Sequence, residues 1–255
     1  MSAGVAGAQA LETRLAGGDA AIVPYLTGGY PSSPTFADAL LALSGVSIAV
    51  EIGIPFSDPM ADGATIQESS RVALENGTTL NSVIDAIEGL GRLDSDLVVM
   101  SYLNPLLAYG YEALLPRLAG VGVSALIVPD LPLEESDELA SVSREHGIGL
   151  VQLVSPVTSP DRLETLGNAS EGFTYAVTMT GTTGGRVGAG PEVTAYLDRV
   201  RAVSRAPVLA GFGVRSPEQV RVLAPHCDGV IVGSALVEIM ASGGDPVAFV
   251  AELRQ

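Results

Sequence analysis

The sequence predicts an α/β fold: a (β/α)8 barrel closed by eight parallel strands and preceded by one extra N-terminal helix. Three observations predict it. Short runs rich in Val, Ile, Leu and Ala recur at residues 21–26, 47–52, 97–102, 125–128, 149–154, 173–177, 207–210 and 229–232, each of strand length. Stretches with helical spacing of apolar residues separate them, and strand–helix alternation sustained along a whole chain demands a parallel sheet. The chain has 255 residues, close to the roughly 250 that one such barrel needs. An open doubly wound sheet is the alternative. Eight units in this length favour closure into a TIM barrel that forms a single domain over residues 1–255.

Residues 1–15 read as a leading helix placed to plug the bottom of the barrel. Helices are then expected at 35–43, 80–90, 112–119, 135–145, 160–166, 193–203, 217–223 and 246–253, with a short one at 66–75 inside a long connection. Ser32-Ser33-Pro34, Thr158-Ser159-Pro160 and Arg215-Ser216-Pro217 each set a hydroxyl cap before a first-turn proline. His146, just before Gly147, reads as part of a helix C-cap. Two connections, 53–80 and 178–190, exceed the usual 2–6 residues of such loops. Both follow strands, so both belong to the face where barrel active sites form, and both are candidate lids.

Composition narrows the function. Hydrophobic residues make up 47% and charged ones 16%, which suits strands buried on both faces. With 13 basic against 29 acidic side chains the net charge is −16. That excludes non-specific binding to nucleic acid or to an anionic membrane. All 13 basic residues are Arg, so a Schiff-base lysine is impossible. Cys227 is the only cysteine, consistent with a cytoplasmic protein without disulfides. The first residues show no signal-peptide pattern, and no apolar run reaches the ~18 residues of a membrane span. An anionic substrate would have to be held by backbone N–H groups, because the overall field repels it.

Glu51 is the one charge in an otherwise apolar strand, beside Ala49, Val50 and Ile52. Strand alternation points it either into the barrel or toward the helices. Burial there raises a carboxyl pKa toward neutrality and equips it for proton transfer; a structural carboxylate bonded to backbone is the other reading. Asp58 and Asp62 follow on the loop, before Pro59 and Gly63. Such aspartates usually form turns, yet Asp62 is spaced to fold back over the barrel mouth, and two carboxylates in different environments can divide acid and base roles. Three glycine elements follow late strands: Thr183-Gly184-Gly185, Gly211-Phe212-Gly213 and Gly233-Ser234, the last opening a helix. That is where barrels build phosphate sites, although glycines also simply make turns. Tyr102, Asn104, Asp130 and Tyr175 lie at or near strand ends as further site candidates. His226 and Cys227 lack metal-ligand spacing, so no metal is expected, and there is no GxSxG nucleophile elbow.

PYLTGGYP (24–31), EIGIPFSDPMADGATIQ (51–67), SYLNPLLAYG, VPDLPLEE, GFGVRSPEQV and VGSALVEIM (232–240) together span nearly the whole chain. They resemble the tryptophan synthase alpha subunit. The resemblance implies a cofactor-free carbon–carbon lyase that cleaves indole-3-glycerol phosphate by retro-aldol chemistry to indole and glyceraldehyde 3-phosphate. By position, Glu51 looks like the acid–base group serving C3 of the indole ring, and Asp62 like the carboxylate that stabilises the indole N–H. Tyr102, Asp130 and Tyr175 then line the substrate site, and Thr183, Gly184, Gly213, Gly233 and Ser234 hold the phosphate. The resemblance further implies a beta subunit carrying pyridoxal phosphate, an α2β2 heterotetramer, and a partner-facing surface at Pro55 and Asp58. The loop at 178–190 departs from the family pattern in its excess of Thr and Gly, with Thr182 where valine is common. A different phosphate-binding barrel acting on a sugar phosphate, and an inactive barrel kept as a partner's regulator, stand as the alternatives.

Overall fold

The structure, a computed structural model, describes residues 6–178, 190–211 and 213–255. Eight strands are present: β1 (Ala21–Thr27), β2 (Ala49–Gly53), β3 (Asp96–Met100), β4 (Val123–Ile127), β5 (Gly149–Val154), β6 (Thr174–Val177), β7 (Val208–Gly211) and β8 (Gly229–Val232). They pair in sequence order, all parallel, and β8 returns to β1 to close the barrel. The helices are α1 (Ala6–Leu15), α2 (Ser33–Ser44), α3 (Ala64–Glu75), α4 (Leu80–Leu90), α5 (Leu103–Tyr109), α6 (Tyr111–Gly120), α7 (Asp137–Glu145), α8 (Pro160–Ala169), α9 (Pro191–Val203), α10 (Pro217–Leu223), α11 (Ser234–Ala241) and α12 (Pro246–Leu253). Among the described residues no helix is long and apolar enough to cross a membrane.

Alternation along each strand splits the core in two. Side chains such as Ile22, Val50, Val99, Leu126 and Val230 pack outward against the helices. Ala21, Val23, Tyr25, Ala49, Val98, Met100, Ala125, Tyr175 and Ile231 fill the barrel itself. Leu11 and Leu15 of α1 belong to this inner set and are fully buried, contributing about 1.5–3 kcal/mol each through apolar burial. Over residues 6–15 the leading helix is therefore the plug expected from its sequence; residues 1–5 lie outside the described residues. It is fastened by Ala8 N–H to the Gly147 carbonyl (3.0 Å) and by Gly172 N–H to Glu12 Oε1 (2.8 Å).

The caps divide. Ser32 accepts from Thr35 N–H, and Ser216 forms a reciprocal capping box with Gln219. Ser159 occupies the N-cap of α8 but makes no cap bond; the neighbouring Thr158 hydroxyl instead accepts from Ser155 N–H at 3.0 Å. His146 is the C-cap of α7, with Gly147 at φ 75° behind it. The one helix missing from the sequence reading is α5. It begins at Leu103, directly after the third apolar run, with Pro105 in its first turn and Gly110, at φ 88°, ending it.

Two inward tyrosines depend on glycines of the next strand. A Cβ on Gly53 would lie 2.0 Å from Tyr25 Oη, and one on Gly211 would lie 2.3 Å from the Tyr175 ring. Each ring occupies the space a side chain would need. Gly211 thus serves to seat Tyr175, not to bind an anion. Gly53→Ala must expel Tyr25 from its seat; urea unfolding should show about 1–3 kcal/mol of lost stability, the usual cost of overpacking, and a midpoint matching the native chain would refute the steric argument.

Candidate active site

Glu51 lies in register with Tyr25 of β1 and Val98 of β3, both inward residues, so its carboxyl group is inside the barrel. It is 1% exposed, and Oε2 finds no hydrogen-bond partner among the described residues. Burial, with the nearby Asp62 charge adding to it, pushes its pKa from 4.5 up to about 8. At neutral pH the side chain is a carboxylic acid.

Asp62 arrives from the loop between β2 and α3, and local bonds hold it there. Its N–H donates to the Pro59 carbonyl (3.1 Å), and Gln67 Nε2 donates to the Asp62 carbonyl (2.8 Å). Tyr102 fixes the carboxylate: the phenol donates to Asp62 Oδ2 (3.2 Å) and accepts from Ala61 N–H (2.9 Å). Phe56 stacks on the Tyr102 ring at a centroid distance of 5.1 Å. Burial raises Asp62 to about 6, the Tyr102 bond opposing the rise. The two carboxyl groups are therefore held at different protonation states near pH 7.

Both face one small cavity, lined further by Tyr25, Gly63, Ile66, Met100, Tyr175, Gly213, Ile231, Gly233 and Ser234. Its far wall is the start of α11, where Gly233 is the N-cap and the first N–H groups lack helical partners. Gly213, at φ 86°, brings the loop after β7 against the same wall. Among the described residues no cation lines the cavity, and the positive potential these residues give this wall comes from backbone. α3 is keyed to β1 behind the site: Thr27 Oγ1 and Ser69 Oγ lie 2.6 Å apart, and Ser69 donates to the Ile66 carbonyl.

Six of the ten residues expected at the site, Glu51, Asp62, Tyr175, Gly213, Gly233 and Ser234, come together on this cavity. Tyr102 stands behind Asp62 and orients it, and is absent from the cavity wall. Asp130 does not reach the cavity: it is exposed, and its Oδ1 accepts from Leu103 N–H at the start of α5. Asn104 is exposed on α5. Thr183 and Gly184, with the rest of 179–189, lie outside the described residues. Tyr25, Ile66, Met100 and Ile231 were missed, although Tyr25 and Met100 keep step with inward-facing neighbours on their strands. Asp58 is exposed and bonded to Ser57. His226 pairs with Asp198 at 2.7 Å, and no group of three potential metal ligands occurs among the described residues.

The chain matches the family described as tryptophan synthase alpha chain over residues 11–252. It is 42% identical to the alpha chain of Solidesulfovibrio magneticus over 242 residues, 94% of each chain. It is likewise 42% identical to an alpha chain of Bacillus cereus, with 92% of each covered. A solved chain from the tryptophan synthase α2β2 complex of Pyrococcus furiosus superposes with a TM-score of 0.85 at 37% identity, covering 92% of this chain and 98% of that one. A Mycobacterium tuberculosis tryptophan synthase chain gives 0.84 at 38%, covering 99% and 96%. The chain belongs to the tryptophan synthase alpha chain family. The family is a lyase without a cofactor of its own.

Two outcomes follow from these environments. Between about pH 4.5 and 8 the folded chain holds a proton on Glu51 that the unfolded chain releases. That stability is fully present at the acid end of the window and is lost as pH rises through 8. Glu51→Gln should therefore outlast the native chain in urea above pH 8, the gap narrowing toward pH 5; a constant gap would show that Glu51 is not buried as an acid. Tyr102→Phe removes the bond that lowers Asp62, so Asp62 should titrate above about 6, read from its carboxyl NMR signal. An unchanged titration would remove Tyr102 from this role.

Proposed function

We propose that this chain cleaves indole-3-glycerol phosphate with Glu51 as the proton-transfer group and Asp62 as the anionic stabiliser. The alpha subunit of tryptophan synthase splits this substrate into indole and glyceraldehyde 3-phosphate and hands indole to a beta subunit. The observation that carries the assignment is the pair of buried carboxyl groups on one cavity, one held protonated and one ionised at neutral pH.

The chemistry needs both states. Protonation at C3 of the ring makes the ring an electron sink, and neutral Glu51 donates that proton. Positive charge then develops on the ring nitrogen, and ionised Asp62 accepts a hydrogen bond from its N–H. The hydroxyl on the side-chain carbon joined to C3 loses its proton to the Glu51 carboxylate just formed. The carbon–carbon bond breaks, its electrons restore the aromatic ring, and the carbon becomes the aldehyde of the second product. Gly213, Gly233 and Ser234 offer amides and a hydroxyl to the phosphate. A lysine enamine route is closed because the chain has no Lys.

The same reading assigns the partner. An α2β2 assembly would have the exposed Asp58 and Met60 facing the beta subunit, which carries the pyridoxal phosphate; Pro55, expected on that surface, is buried. The compartment assigned is the cytoplasm. Indole release should require both carboxyl groups. Glu51→Gln should cut kcat by roughly a hundred- to ten-thousand-fold, the worth of positioned acid–base catalysis. The native rate should peak between about pH 6 and 8, where Asp62 is ionised and Glu51 still protonated. Full activity in Glu51→Gln sinks the assignment; added beta subunit should raise the native rate.

A further inference from the structure

We propose that Glu238 is a positioning residue that ties the phosphate end of the site to Asp62, an inference that rests on the site assignment above. Glu238 lies one turn beyond Ser234 on α11, on the same helix face. Its carboxylate takes hydrogen bonds from two other elements. Arg215 donates to both oxygens, Nη1 to Oε2 at 2.6 Å and Nη2 to Oε1 at 2.9 Å. Thr65 Oγ1 donates to Oε1 at 3.1 Å.

Each of the three residues is close in sequence to a site group. Thr65 is the second residue of α3 and follows Asp62 by three positions. Arg215 follows Gly213 by two and is itself held, its N–H donating to Gln219 Oε1 at 2.7 Å. One carboxylate thus joins the loop that carries Asp62, the loop that carries Gly213 and the helix whose N-terminus faces the cavity. The bidentate fork fixes direction as well as distance. Arg215 and Glu238 are about half exposed, and exposed pairs add little to stability. The function of the pair is geometric: an anion that draws α11 and Gly213 together also draws on Thr65, and through it on the Asp62 loop. Binding energy gathered at the phosphate is in this way available to orient the reacting end.

The test is a kinetic cycle on indole-3-glycerol phosphate with Glu238→Ala, Thr65→Val, the double variant and Glu238→Gln. Glu238→Ala and Thr65→Val should each lower kcat about tenfold with KM within twofold, and the double variant should be no worse than either, as for two ends of one linkage. Glu238→Gln keeps an oxygen for Thr65 and should recover most of the rate. Thermal midpoints should stay within a few degrees of native. Multiplicative losses, a change confined to KM, or no change in kcat would overturn the proposal. A native chain that releases no indole would overturn the site assignment itself, and the inference with it.

Discussion

Glu51 occupies a place in the barrel interior where its neighbours along the strand are Ala49 and Gly53 and its neighbours across strands are Tyr25 and Val98. An ionised carboxylate there would need compensating bonds, yet Oε2 has none among the described residues. The group answers by keeping its proton. The rest of the site follows from that choice. A second carboxyl group brought close must find its own stabilisation or also be neutral. Tyr102 and Ala61 supply it, the phenol donating to Asp62 while its oxygen is occupied by a backbone N–H. The difference between the two environments, one desolvated with an unpartnered Oε2 and one held by a phenol, separates their protonation states.

The walls of the cavity obey a steric constraint as strict as the electrostatic one. Tyr25 leans from β1 over Gly53 of β2, and Tyr175 leans from β6 over Gly211 of β7. In both places a strand-terminal glycine gives up its side chain so that a ring from the preceding strand can close the side of the barrel mouth. The carboxyl group between these rings is desolvated because they are seated. Their phenols in turn are held neutral first by burial, Tyr25 with the Asp62 charge adding to it and Tyr175 with that of Glu51 once Glu51 ionises. Packing and proton affinity at this site are one arrangement.

Most of the scaffold was legible because it is written with local periodicities. Strands β5 and β8 and helices α4, α10 and α12 fall on the very residues that alternation and helical spacing mark. Glu51 was legible as a charge in an apolar strand, and Ser234 as a helix start after a glycine. What escaped was set by contacts between distant segments. Tyr102 reads as a strand-end aromatic, and only the fold brings it to Asp62, 40 residues away. Asp130 reads from sequence as an aspartate just past an apolar run, aimed at the barrel mouth; folded, it turns to the N-terminus of α5. The Thr65–Glu238 bond crosses 173 positions, and no local signal announces it.

The net charge of −16 poses the remaining physical question, because a phosphate must approach a strongly acidic molecule. Among the described residues, the cation that a simple electrostatic argument would recruit is Arg215, two residues beyond Gly213. Its guanidinium is instead committed in a fork to Glu238, so the pair carries almost no net field toward the cavity. Among the described residues, the donors left for the proposed anion site are the N-terminus of α11 and the amides around Gly213 and Gly233. Such donors act over a turn of helix and no further. They reward an anion placed at the correct depth and do nothing for one at the surface. A free arginine would hold phosphate at many positions along its flexible reach. Amides on a rigid helix hold it at one, which also fixes how far the ring at the other end of the substrate stands from Glu51 and Asp62.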